Sequence, residues 1–242
     1  MPLKYIFLDA GGTIIYPNVD LICEFANKYG YNLSPQDILK SFYETIFYYD
    51  NLFRKDGVKD SSVFIHLIPL LLNRLGIDIE LGVNIRKKMR EKENNLIWTY
   101  TTSEVIEGLK LLKENGFKLS VISNSDGTVE EQIKKAGLRK YFEKVYDSGI
   151  IGIEKPDPRI FIYALNDLNL KPSEVIYVGD IMMIDVLGAN RAKIGAIHLD
   201  PLNLYQSFPG MHLKSIYEFS QTILNDKILE ENKLYPYMER EG

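Results

Sequence analysis

One cysteine, Cys23, stands among 242 residues, which excludes an intrachain disulfide and any metal site built from several cysteines. Histidine is nearly as scarce: His66, His198 and His212 are isolated, and none has metal-ligand spacing. A basic excess is also missing. There are 29 Lys and Arg against 33 Asp and Glu, for a net charge of −4, so the charge footprint of a nucleic-acid binder is absent. No apolar run has the length of a membrane span or a signal peptide, and the N-terminal run reaches Asp9 within a few residues. Repeats and low-complexity tracts are lacking too. These absences lead to the expectation of a cytoplasmic protein, monomer or homodimer, with neither nucleic acid nor membrane as partner. With 45% hydrophobic residues the chain can bury one large core or two modest ones.

Two textures divide what is present. Residues 18–97 are helical in pattern. Leu21, Ile22, Phe25, Ala26 and Tyr29 recur at helical spacing, and Gly30 stops the run. Ser34-Pro35 opens a second helix carrying Ile38, Leu39, Phe42, Ile46 and Phe47 on one side. A third apolar segment runs from Val63 to Leu75, where Pro69 predicts a kink or a break. A fourth spans about Glu80 to Leu96. Elsewhere short β-like runs alternate with helices. The strands are residues 4–8, Phe117–Ile122, Lys144–Asp147, Val175–Val178 and, as the last, Gly195–His198; a helix is predicted from Asp185 to Ala192. Alternation of this kind implies a parallel sheet with right-handed crossovers. The fold class is therefore α/β, with an all-helical insertion after the first strand. The expected units are residues 1–16 with 99–225 as the sheet core, 17–98 as the insertion, and 226–242 as a charged tail.

Polar residues gather at the strand ends. The first strand delivers Asp9 and turns at once on Gly11-Gly12-Thr13; the second ends in Ser123-Asn124; Lys155 lies in a loop; another strand ends in Gly179-Asp180, with Asp185 five residues on. In a parallel sheet these tips share one edge. Each then has a role if the substrate is a phosphate ester. Asp9 is the candidate nucleophile. Asp9, the Gly11 carbonyl and Asp180 suit magnesium, with Asp185 as a direct ligand or behind the direct ligands. Ser123, Asn124 and the amides from Gly11 to Thr13, including Gly12, are candidates for the phosphoryl oxygens. Lys155 supplies a point charge to Asp9 and to the transferring group. Asp157, just before Pro158, reads as a helix cap. The ring-rich stripe Phe42-Tyr43, Phe47-Tyr48-Tyr49 and Phe53 reads first as helix-packing surface, with Arg54 nearby as a possible anion contact.

This order resembles the haloacid dehalogenase-like hydrolase superfamily. Its four motifs correspond here to Asp9–Thr13, Val121-Ile-Ser123, Lys155 within residues 152–161, and Gly179-Asp-Ile-Met-Met-Ile-Asp185. The resemblance covers residues 4 to about 200. It implies a Rossmann-like core, an inserted helical cap that closes over the site and selects substrates, a Mg2+ cofactor, and a small, phosphorylated substrate. The function it favours is a magnesium-dependent phosphatase working through an aspartyl-phosphate on Asp9.

One position departs from the pattern. The family's phosphatases carry a second Asp two residues after the nucleophile, as general acid and base, and this chain has Gly11. General acid–base catalysis is worth roughly 10²–10⁴-fold. Two alternatives follow. A 2-haloacid dehalogenase, metal-free and with an ester intermediate on Asp9, needs no acid because halide leaves without a proton. A weakly active or inactive scaffold would keep these residues for phosphate and metal binding. A phosphonate-hydrolase variant would instead need an imine-forming lysine, for which Lys28, Lys40, Lys55 and Lys59 qualify by location.

Overall fold

Tyr5–Leu8, strand β1, is buried along its whole length, as a run with no polar face must be if helices cover both sides of a sheet. The computed structural model describes residues 3–56 and 66–225. The charged tail 226–242, the start of the Val63 segment and Lys59 lie outside the described residues. The chain divides into two compact units, residues 1–15 with 101–242, and residues 16–100.

The first unit holds the sheet. Helix α5 (Ser103–Glu114), capped by the Thr102 side chain, leads into β2 (Lys118–Ser123). Helix α6 (Val129–Lys135) leads to β3 (Val145–Asp147), and a short helix α7 (Ser148–Ile151) follows directly. Helix α8 (Pro158–Asp167) has Asp157 as its cap and proline at its first position. Strand β4 (Val175–Gly179), helix α9 (Leu187–Arg191), β5 (Gly195–Leu199), β6 (His212–Leu213) and α10 (Ile216–Leu224) complete the unit. The strand order is β3-β2-β1-β4-β5-β6, and every pairing is parallel. Connections on either side of β1 run in opposite directions, so a switch point lies between β1 and β4. The tips of β1, β2 and β4 therefore meet at one edge.

The second unit holds α1 (Val19–Asn27), α2 (Pro35–Asp56), α3 (Leu67–Arg74) and α4 (Ile79–Lys92). Asn18 and Asp78 cap α1 and α4. At the start of α2, Ser34 and Asp37 exchange hydrogen bonds: each side chain accepts the other's backbone N–H. Tyr16 and Tyr100 pair antiparallel where the chain enters and leaves, with N–H···O distances of 2.8 and 3.2 Å. Phe42 is buried edge-on against Trp98 and Tyr16, so that part of the stripe is packing surface, whereas Tyr48 is exposed.

Four expectations are corrected. Pro69 does not break its helix: it is the third residue of α3, where the backbone N–H has no intrahelical acceptor to lose. The turn containing Asp185 opens earlier than expected, as a π-helical segment Met182–Val186 that runs into α9. Gly195–His198 is not the last strand, because the two-residue β6 follows it and is too short to show periodicity. Helix α7 was also missed, being a single turn. Among the described residues no helix is long and apolar enough to cross a membrane.

Candidate active site

The ladder between β1 and β4 continues one residue past the strand: the Asp9 N–H donates to the Val178 carbonyl at 2.9 Å. That bond fixes where the Asp9 carboxylate leaves the sheet. The chain then curls over the Ala10 carbonyl, which accepts the N–H groups of Thr13, Ile14 and Ile15. Gly12 sits at φ +77°, and a Cβ there would lie 2.6 Å from Asp180 Cγ. Glycine is required at this point for the backbone angle and for room beside a carboxylate. At Gly179 the reason is room alone, since its Cβ would fall 2.6 Å from that of Asp185.

Lys155 joins the tips. Its ammonium donates to Asp9 Oδ1 at 2.7 Å, to Asp185 Oδ1 at 2.6 Å and to the Tyr177 hydroxyl at 2.9 Å. The Tyr177 hydroxyl is also 2.9 Å from Asp185 Oδ1, and the other Asp185 oxygen accepts the Ile181 N–H at 3.0 Å. The Thr13 hydroxyl donates to Asp180 Oδ1 at 3.4 Å, and Asp180 Oδ2 is buried with no hydrogen-bond partner among the described residues. Lys155, Asp9, Asp180 and Asp185 are all buried, none more than 6% exposed.

Burial drives the protonation equilibria here. It lifts the Asp9 carboxyl to about 6; the Lys155 ammonium opposes that rise, and Asp185 adds to it. Burial, then Asp185 and Asp9, push Asp180 well above the usual carboxylate range. Burial also pulls on Lys155 in the direction of losing its proton, but Asp185 and Asp9 outweigh it and the group rises. Three carboxyls face one ammonium in a dry site, and the upward shifts of Asp9 and Asp180 show burial favouring their protonated forms; a bound cation would instead favour the ionised ones.

The structure brings Asp9, Lys155, Asp180 and Asp185 together, with Thr13 beside Asp180 and Ser123 buried at the tip of β2. Two assignments change. The Gly12 and Thr13 amides, expected at phosphoryl oxygens, donate to the Ile15 and Ala10 carbonyls and hold the turn. Asn124, expected at substrate, uses its side chain on Lys155: Oδ1 accepts the Lys155 N–H at 2.8 Å and Nδ2 donates to the Lys155 carbonyl at 2.9 Å. The next clamp is Ser148, whose hydroxyl accepts the Ser125 N–H at 3.1 Å and donates to the Ser125 carbonyl at 3.2 Å.

Sequence reasoning missed three residues. Tyr177 sits inside an apolar strand and reads as core. His198 and His212 read as isolated, yet their Nδ1 atoms lie 3.0 Å apart. His198 Nε2 is 3.0 Å from the Asp180 carbonyl, so it carries the proton and donates. Burial, helped by His212, lowers His198 to about 4 and keeps the ring neutral. No motif marks either histidine; only the register of β5 against β6, which sets His198 opposite His212, would have shown it.

The donor set fits a hard divalent cation. Asp9, Asp180 and Asp185 each offer a carboxylate oxygen within 4.8 Å of the others, and the unpartnered Asp180 oxygen lacks the ligand that burial normally demands.

A family model described as haloacid dehalogenase-like hydrolase matches residues 3–193. A glyceraldehyde 3-phosphate phosphatase of Methanopyrus kandleri is 34% identical over 131 residues, which cover 54% of this chain and 56% of that one. A phosphoserine phosphatase of Thermus thermophilus is 37% identical over 89 residues, 36% of each chain. The chain thus spans about half or less of the length of these curated relatives. Among solved structures, a putative HAD-hydrolase of Bacillus subtilis bound to magnesium superposes with a TM-score of 0.64 at 18% identity, covering 93% of this chain and 100% of that one. The L-2-haloacid dehalogenase of Xanthobacter autotrophicus gives 0.58 at 17% identity, covering 92% and 98%. Likeness at these identities speaks to the fold.

Proposed function

The chain belongs to the haloacid dehalogenase-like hydrolase family, and from that premise we propose that it is a cation-dependent phosphatase acting on a small phosphorylated molecule through Asp9. One observation carries the reading: a buried carboxylate at a strand tip is held by a buried ammonium at 2.7 Å, beside a second carboxylate with an unpartnered oxygen. Relatives named as phosphatases of glyceraldehyde 3-phosphate and phosphoserine support the same chemistry.

Asp9 attacks phosphorus. Lys155 holds Oδ1, which orients the carboxylate and leaves Oδ2 for the new bond. The ammonium also faces charge that develops on the transferring group. Asp185 and Tyr177 anchor that ammonium from behind. Asn124 fixes its main chain, so its role is to position Lys155. The Ser123 hydroxyl is assigned to a phosphoryl oxygen. Magnesium would be held by Asp9, Asp180 and the Gly11 carbonyl, with Asp185 behind them, and when bound it offsets the repulsion between these carboxylates and an anionic substrate. Choice of substrate is assigned to the helical unit, acting as a cap.

A panel of phosphate monoesters, assayed with magnesium and with chelator, tests the reading. Phosphate release should require the cation and vanish in Asp9→Asn. Gly11 favours a second reading, a 2-haloacid dehalogenase, since halide departs unprotonated. Halide release from 2-haloacids that survives chelation, with no phosphate release from any ester, would establish that alternative. Phosphate and cation binding without turnover of either substrate class would leave only a binding scaffold.

A further inference from the structure

Protons are scarce around Asp9. Among the described residues of the sheet-bearing unit, the polar hydrogens nearest it are already committed. Lys155 has three N–H donors and three acceptors: Asp9, Asp185 and Tyr177. The Tyr177 hydroxyl is fully buried between Asp185 Oδ1 and the Ile122 carbonyl. The Thr13 hydroxyl points to Asp180, and alcohols such as Thr13 and Ser123 are too weak to act as acids. Asp185 accepts at both oxygens and is sealed from solvent. Asp180 has one oxygen on the Thr13 hydroxyl, and its other oxygen is the one assigned to the cation. Residue 11, which follows the nucleophile at the mouth of the Ala10 turn, is glycine.

We propose that this site takes activated phosphoryl donors, acyl phosphates above all, whose leaving group departs as a carboxylate and needs no proton. The inference rests on the phosphoryl-transfer reading and narrows its substrate class. In the first step a bond forms between Asp9 Oδ2 and phosphorus. The bond from phosphorus to the acyl oxygen breaks, and its electron pair leaves on that oxygen as a carboxylate. A carboxylic acid has a pKa of about 3.5, so the leaving carboxylate is stable at neutral pH. An alkoxide, near water's value of about 15.7, is not. In the second step water adds to phosphorus, the bond to Asp9 breaks, and the water proton passes to solvent with inorganic phosphate released. The Asp9 phosphate is itself an acyl phosphate, so the first step exchanges like for like.

The test uses the full-length protein with magnesium and three kinds of donor: acetyl phosphate, aryl phosphates graded by phenol acidity, and glycerol phosphate. Asp9→Asn supplies the background of spontaneous hydrolysis. The expected kcat/KM for acetyl phosphate exceeds that for glycerol phosphate by about 100-fold or more, the minimum worth of a missing general acid. Across the aryl series, rates should fall steeply as the phenol becomes less acidic. Gly11→Asp should narrow the acyl–alkyl gap by raising the alkyl rate; Gly11 is not at positive φ, so the backbone accepts a side chain. Acyl and alkyl donors turned over within about tenfold of each other, or a flat aryl series, would overturn the proposal while leaving a phosphatase in place, because a working acid is what levels such differences. Phosphate release from none of the donors would instead remove the phosphatase reading, and this inference with it.

Discussion

On the helical unit, Glu24 accepts hydrogen bonds from Lys28 and Lys92, each at 2.8 Å, with 44–57% of each side chain in solvent. In the sheet-bearing unit, Asp9 accepts from Lys155 at 2.7 Å, with 8% and 2% of the two side chains exposed. The distances match, but the carboxyls move in opposite directions. Hydrogen bonds from Lys28 and Lys92 hold Glu24 down at about 2, whereas burial carries Asp9 up to about 6 although Lys155 opposes it. An exposed pair keeps its hydration and is screened by salt, so it is nearly dispensable. A buried pair loses hydration that Coulomb attraction only partly replaces. Such a network is poor evidence for stability and good evidence for chemistry.

That contrast is most easily broken at Lys155. Lys155→Met leaves Asp9 and Asp185 buried without their counter-charge. It should cost about 3–5 kcal/mol in a denaturant titration, the typical penalty for breaking a buried pair, and should end turnover. A loss as small as that of a surface pair, below about 1 kcal/mol, would mean that Lys155 and its carboxyl partners are not a desolvated network.

The cation is the next largest lever. Magnesium at about 100 times its Kd should stabilise the protein by about 2.7 kcal/mol. The sign with pH follows from Asp9. Its folded pKa lies above the unfolded value, so its contribution to apo stability is present at low pH and is lost as pH rises through about 6. Above that pH the carboxylate is ready for the cation, so the magnesium-induced rise in melting temperature should grow between pH 5.5 and 7.5. In Asp180→Asn the rise should disappear, while the apo protein becomes more stable because a buried carboxyl that disfavours its own ionisation is replaced by a neutral group.

Asn124→Ala removes both side-chain hydrogen bonds to the Lys155 main chain. A loss of about 1–3 kcal/mol is expected; kcat should fall more than KM rises, and Asn124→Asp should not restore it, since it lacks the donor. Glu24→Gln is the control at the small end. Its melting temperature should be indistinguishable from wild type at low and at high salt.

The same contrast separates what was legible in the sequence from what was not. Asp9, Lys155, Asp180 and Asp185 stand where strands end, and a parallel sheet forces such ends to one edge. Their convergence could be read from strand alternation and the turn glycines. The partners behind them could not. Tyr177 sits between Ile176 and Val178 in β4, and only the direction of its hydroxyl toward Lys155 separates it from core. Asn124 stands at a strand end as a ligand-binding residue would, and its commitment to Lys155 depends on how two loops meet. Gly12 and Thr13 read as anion-binding amides because a glycine turn after a strand resembles a phosphate cradle, but the curl over Ala10 closes those N–H groups on the chain itself. Pro69 misled for a related reason: its effect depends on its place in the helix, which residue type does not state.

Phosphatase chemistry at this site requires Asp9 to form a covalent bond to phosphorus. Acid quenching during turnover of acetyl phosphate with magnesium, followed by mass analysis of proteolytic fragments, addresses that directly. The predicted result is one phosphoryl group on the fragment that contains Asp9, removed by hydroxylamine as an acyl phosphate should be, and missing from Asp9→Asn. Phosphate release at full rate from Asp9→Asn, or a phosphoryl group on any other residue, would contradict it.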